Sequence, residues 1–227
     1  MKKLLSLALA LIMLLSVVPS LAEAMPTEEP AKGLPQVGDV VCGFEVVEIR
    51  EFPLIGADCV LFEHQRTGAK LMYIANEDTN RVFDMTFLTR PIDNTGLPHV
   101  FEHSTLDGSE KYPSKALFFN LSYQTYNTYM NASTYSIMTT YPIASLSEAQ
   151  LLKYADYYTD SCLNPTIMED ESIYREEAWR YRMASMEDDL TIEGTVYSEM
   201  LGATTLARAA SFNAYRAAFP GSVVGLD

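Results

Sequence analysis

Two of the three histidines in this chain stand four positions apart, within Gly96-Leu97-Pro98-His99-Val100-Phe101-Glu102-His103-Ser104. On an α-helix, positions i and i+4 lie one turn apart on the same face, so both imidazoles point the same way. Glu102, three residues after His99, falls on that face as well. The preceding Asp93-Asn94-Thr95-Gly96 can cap such a helix, with Pro98 in its first turn.

Neutral nitrogen ligands about 2.0–2.1 Å from a metal, with a carboxylate nearby as a base, are what a zinc-activated water requires. The order H-x-x-E-H inverts the common H-E-x-x-H and is the inverzincin motif. The plainer reading is surface polarity, or two satisfied half-buried side chains. A third ligand decides between them, and Gly194-Thr195-Val196-Tyr197-Ser198-Glu199-Met200 offers one in Glu199. If the pair binds metal, the Glu199 oxygens must come within about 6 Å of both rings. Imidazole and carboxylate ligands also accept manganese or cobalt.

The rest of the chain reads as strands first and helices after. Phe44 to Phe52, Ala57 to Gln65, Ala69 to Asn76 and Arg81 to Thr89 are rich in Val, Ile, Phe and Tyr and are separated by turn material. They predict a four-stranded antiparallel meander. Ser114 to Ser122 predicts a short helix, and Asn127 to Ser133 and Tyr135 to Ile143 return to strand composition. Ser145-Leu146-Ser147-Glu148 has capping-box spacing. Leu151, Leu152, Ala155, Tyr158 and Cys162 then recur at helical spacing until Asn164-Pro165. Met168 to Met186 predicts an amphipathic helix, and Gly194 to Phe219 a long one. This order implies an α+β fold, with helices packed on one face of a mainly antiparallel sheet.

Residues 1–24 have the form of a secretory signal: Lys2 and Lys3, an apolar run from Leu4 to Val18, and the A-x-A site Ala22-Glu23-Ala24. Cleavage after Ala24 predicts a secreted or extracytoplasmic protein with no stable membrane span afterwards. Residues 25–39 read as a flexible leader with prolines and glutamates, and 40–227 as one domain. A net charge of −14 argues against nucleic acid and anionic membrane surfaces as partners. Of the three cysteines, Cys42 and Cys59 flank a hairpin and form the best candidate pair; the alternative is three small apolar residues, with Cys162 the third. His64 lies in a strand without a partner motif and reads as a surface residue.

Three stretches together resemble the insulinase/pitrilysin family of zinc metallopeptidases, in its presequence protease branch. The pattern G-[VL]-P-H-[IV]-x-E-H-S-x-L-x-G-S-x-K-Y-P-x-K is present from Gly96 to Lys115. L-N-A-x-T-Y-x-x-x-T-x-Y-P-x-A-S is present from Met130 to Ser145, with Met in place of Leu. G-V-V-Y-N-E-M is present from Gly194 to Met200, with Thr195 and Ser198 substituted.

The resemblance implies that His99, His103 and Glu199 bind one zinc ion and that Glu102 is the general base in peptide hydrolysis. It implies that Asn131 and Ala132 lie on an edge strand to which an extended substrate peptide adds. Glu177, in Arg175-Glu176-Glu177-Ala178-Trp179, matches the family's E-G-W stretch and is expected either to support a ligand from behind or to be an exposed helix carboxylate. Members of this family are several times longer and close two halves around a chamber. The resemblance therefore implies an N-terminal catalytic domain that lacks the opposite half and needs it, or an equivalent partner, to act on unfolded peptides. A non-catalytic peptide-binding homologue, or an inactive fragment, is the alternative.

Overall fold

The computed structural model describes residues 33–115 and 117–223. The predicted signal segment and most of the leader lie outside the described residues. The chain divides into two compact units at Glu77/Asp78.

The first unit is one antiparallel sheet in the order β1-β2-β3-β4: β1 Val40–Val41, β2 Phe44–Phe52, β3 Ala57–His64 and β4 Lys70–Ala75. A single 3-10 turn, Pro53–Ile55, joins β2 to β3 and ends on Gly56, whose left-handed φ of 58° a side chain would disfavour. Val46, Val60 and Phe62 form its small core with Phe44 against them. Gly38 and Asp39, at the end of the predicted leader, already bond Val46 through the backbone. His64 is half-buried rather than a free surface group, with its Nδ1 2.7 Å from Thr67 Oγ1 and its ring on Phe44.

Cys42, Cys59 and Cys162 are all free thiols. Cys42 lies beside the end of the sheet where Phe44 pairs with His64, whereas Cys59 pairs with Arg50 five positions along β3. That separates them by roughly 15 Å, too far for a bridge.

The second unit holds β5 Arg81–Leu88, α1 Leu97–Leu106, α2 Leu117–Gln124, β6 Tyr129–Met130, β7 Ser133–Thr134, β8 Met138–Ser145 and α3 Glu148–Leu163. A 3-10 turn at Thr166–Met168 leads into α4 Glu171–Glu177, the hairpin β9 Arg180–Arg182 and β10 Thr191–Glu193, then α5 Thr195–Ala203 and α6 Leu206–Ala218. Its sheet runs β5-β8-β6, with β7 also on β8 and every pair antiparallel. The expected four-strand meander is thus divided. Its first three strands stay together, but Arg81–Leu88 pairs along its whole length with β8, from Arg81↔Ser145 to Leu88↔Met138. The turn at Glu77 to Asn80 changes sheets, which composition alone does not reveal.

Helix boundaries differ from the sequence reading for identifiable reasons. The predicted long helix from Gly194 is two helices, because Thr204 returns its hydroxyl to Met200 O and Thr205 caps α6 by accepting from Arg208 N. The predicted helix over Met168 to Met186 is real only as α4, capped by Asp170. Beyond Ala178 the chain turns into the β9/β10 hairpin, where Glu193 pairs with Arg180 at 3.3 Å and Arg182 at 2.6 Å. α3 is capped by Ser147, which accepts from Gln150 N, and not by Ser145, which ends β8.

The main core joins α1, α3 and the sheet through Leu106, Ala132, Tyr141, Ile143, Tyr154, Tyr157 and Tyr158. The buried face of α3 is Tyr154, Tyr157, Tyr158 and Ser161, and Leu152 faces outward. Edge-on and tilted ring pairs link Tyr112, Tyr157, Tyr158 and Tyr141, each contributing about 0.5–1.5 kcal/mol beyond area burial. Among the described residues no helix is long and apolar enough to cross a membrane.

Candidate metal centre

α1 starts on Gly96, in the left-handed region at φ 68°, with Pro98 in its first turn. Its N-cap residue, a glycine, has no side chain to cap it. Asp93 instead accepts from the backbone and hydroxyl of Thr95 in the turn before, which holds its carboxyl below the ordinary range. The helix presents His99 and His103 with ring centroids 5.0 Å apart and planes at 73°.

Glu199 arrives from α5. Its Oε2 lies 3.8 Å from His99 Nε2 and 3.5 Å from His103 Nε2. One ligand atom from each of the three residues falls within 4.8 Å of the others. Donor atoms about 2.0–2.1 Å from a tetrahedral ion stand roughly 3.3 Å from one another, so this set fits zinc with little movement.

Packing explains the convergence. Val100 of α1, Ala178 after α4 and Val196 of α5 form one buried cluster with Met200 against it. Gly194, at the start of α5, lies so close to Ala178 and Trp179 that a Cβ there would overlap the Ala178 carbonyl. Glu177 ties the same elements together. Its Oε2 lies 3.0 Å from His103 Nδ1, and its Oε1 accepts from Thr195 Oγ1 at 3.3 Å, at the first turn of α5. Burial of the His103 ring opposes its protonation, but the hydrogen bond and charge of Glu177, with Glu102 and Glu199, outweigh that and raise its pKa above 6.5. A proton kept on Nδ1 leaves Nε2 free as a ligand.

Glu102 is only 6% exposed, and its Oε2 has no hydrogen-bond partner among the described residues. A buried carboxylate oxygen is rarely left so without a ligand or water to meet it. Behind it, the Thr105 hydroxyl donates to Glu102 O at 2.8 Å and lies 3.1 Å from the Tyr141 hydroxyl. One turn beyond His103, Asp107 is pushed up to about 6, by burial first and then by the negative charges of Glu177 and Glu176, with Lys115 partly offsetting them.

His99, Glu102, His103, Asp107, Glu177 and Glu199 line a cleft of about 1790 Å³ that also has Asn131 and Ala132 on its wall. The side chain of Asn131 is exposed and that of Ala132 is buried in the core. Sequence reasoning missed the supporting tyrosines. The Tyr157 hydroxyl donates to Leu106 O at the end of α1 and the Tyr158 hydroxyl to Asn131 O on the edge strand, at 3.2 and 3.0 Å. Their signal was present as a tyrosine face on α3, but a tyrosine face reads first as core.

The fold and this centre define an α+β protein with two imidazoles and a distant carboxylate converging beside a buried glutamate. Residues 88–212 match the family described as Insulinase (Peptidase family M16), and the chain belongs to that family. Protein HypA of Clostridium perfringens is 40% identical over 165 residues, covering 73% of this chain and 17% of that protein. Presequence protease 1, chloroplastic/mitochondrial, of Arabidopsis thaliana is 37% identical over 177 residues, covering 77% of this chain and 16% of that one. The chain therefore spans about a sixth of the length of these curated relatives. The crystal structure of pitrilysin is similar with a TM-score of 0.47 and 21% identity, over 57% of this chain and 14% of the other.

Proposed function

We propose that this chain carries the zinc centre of a secreted metalloendopeptidase that hydrolyses unfolded peptides. The observation that carries the reading is the approach of His99, His103 and Glu199 to within 4.8 Å beside buried Glu102, whose Oε2 has no partner among the described residues. Membership of a peptidase family supports the reaction class. Zinc, when bound by those three residues, would supply a Lewis acid that polarises a carbonyl and lowers the pKa of a water.

The chain's own groups do the rest. Glu102 Oε2 takes the proton of the attacking water and returns it to the departing amine nitrogen. Glu177 holds His103 by Nδ1, fixing the ring so that Nε2 faces the cleft. The strand carrying Asn131 and Ala132 receives the peptide as an added strand. Lys2, Lys3, the apolar run after them and Ala22-Glu23-Ala24 support export, for which N-terminal sequencing of the processed protein should begin at Met25. Full activity is expected to need further chain, or a partner, to close the open cleft.

Glu102→Gln tests the mechanism. Zinc content should stay near one per chain, while the rate of cleavage of an internally quenched peptide falls by about 10²–10⁴. Unchanged cleavage would remove Glu102 from the mechanism, and a well-folded protein that takes up no zinc would remove the metal.

A further inference from the structure

The residues from Tyr129 to Thr134 run antiparallel to β8 in one unbroken register: Tyr129 faces Ala144, Met130 faces Ile143, Ser133 faces Thr140 and Thr134 faces Thr139. β6 and β7 are thus one edge strand interrupted at Asn131 and Ala132, which that register sets opposite Pro142 and Tyr141. The interruption has a covalent cause. In an antiparallel pair that exchanges both bonds, each residue gives one N–H and receives one. Asn131 N donates to Pro142 O at 3.2 Å, but the return bond needs an N–H that proline lacks. A carbonyl left unmet against a packed core is costly.

Tyr158 meets it. This side chain is fully buried, and its hydroxyl donates to Asn131 O at 3.0 Å. Its ring is held between Tyr141, edge-on at 6.2 Å, and Tyr157 at 5.6 Å. Burial raises the phenol well above its ordinary pKa, so the hydroxyl keeps its proton and remains a donor. With Asn131 bonded inward, strand alternation turns the backbone N–H and C=O of Met130 and Ala132 to the other side. Among the described residues no strand pairs with that side.

We propose that Tyr158 is a positioning residue for peptide binding: its hydroxyl replaces the N–H missing at Pro142 and so fixes the outward backbone of Ala132, on which an extended peptide pairs. This rests on the peptidase reading above. It assigns to α3 a task at the binding edge that its sequence, read as core, does not suggest.

Tyr158→Phe removes the oxygen and keeps the ring. For an internally quenched peptide, KM should rise about fivefold to tenfold with kcat within about twofold and zinc content unchanged. Pro142→Ala restores an N–H at position 142, so adding Tyr158→Phe to it should change KM by less than about twofold. Amide exchange gives an arm independent of activity. Protection over residues 129–134 should fall in Tyr158→Phe and return in the double variant, with β5 and α3 unchanged. The assignment is overturned if KM does not move, if kcat falls instead, if Pro142→Ala gives no rescue, or if protection is lost throughout the core. A well-folded wild-type chain that takes up no zinc would remove the peptidase reading alone, and the exchange arm would still decide whether Tyr158 holds the strand.

Discussion

Glu177 illustrates how much one carboxylate can fix. It reaches His103 with one oxygen and Thr195 with the other, so it orients a ring and anchors the start of the helix that delivers Glu199. Glu177→Gln keeps the shape and removes the charge that favours a proton on Nδ1. Zinc affinity, measured by competition with a chromophoric chelator, should fall about 10–100-fold; unchanged affinity would reduce Glu177 to a packing residue. Asp107 gives a second test, through pH. Its carboxyl is raised from 3.8 to about 6, chiefly by burial and then by Glu177 and Glu176. A raised carboxyl favours folding while protonated, below its unfolded pKa, and that advantage is lost as pH rises through about 6. In metal-free protein, Asp107→Asn should therefore stabilise the fold above that pH, by on the order of 1 kcal/mol once solvent screening is discounted, and by less near pH 5. Thermal melts at the two pH values decide it, and an equal gain at both would rule out this origin.

At the scale of elements, the centre depends on how closely α5 approaches the end of α4. Gly194 has an extended backbone, with φ 169°, so its importance is not conformational freedom. It is the absence of a side chain where the Ala178 carbonyl and the Trp179 backbone press against it. Gly194→Ala must push α5 away, costing about 1–3 kcal/mol of stability and carrying Glu199 off the two imidazoles. A chemical melt and a zinc titration on the same variant should both show loss; intact zinc binding would mean that α5 can shift without moving Glu199. The elements themselves were unevenly legible in the sequence. α1 and α3 were readable because their spacing and stops are local: Pro98 in the first turn, Asn164-Pro165 at the end. The break at Thr204-Thr205 was not, because two threonines end a helix only when one hydroxyl bonds back to a carbonyl and the other accepts from the first turn of the next helix. The transfer of Arg81–Leu88 to a second sheet was not, because pairing with β8 is decided some 60 residues later in the chain. The metal triad was visible as a motif, whereas Tyr157, Tyr158 and Thr105 were hidden, since nothing in their types separates a packing role from a supporting hydrogen bond.

At the scale of the whole molecule, the second unit leaves substantial apolar surface in water. Leu206 is 90% exposed, Leu88 68%, Leu201 65% and Val82 65%, and α6 buries none of its residues. Single exposed leucines are ordinary, but Leu201 and Leu206 stand on two successive helices only a few residues apart. The centre draws on α1, α4 and α5, and α6 contributes no ligand to it. Metal binding and surface exposure should therefore separate experimentally. The 227-residue chain is expected to hold zinc at one per molecule, bind an apolar dye, and shift from monomer toward larger species as its concentration rises about a hundredfold. Replacing Leu206 and Tyr215 of α6 together by serine should suppress dye binding and association and leave zinc content unchanged. Light scattering coupled to size exclusion measures the first two, and metal analysis of the same fractions the third. A chain that remains monomeric and dye-silent at every concentration would mean that this surface needs no cover.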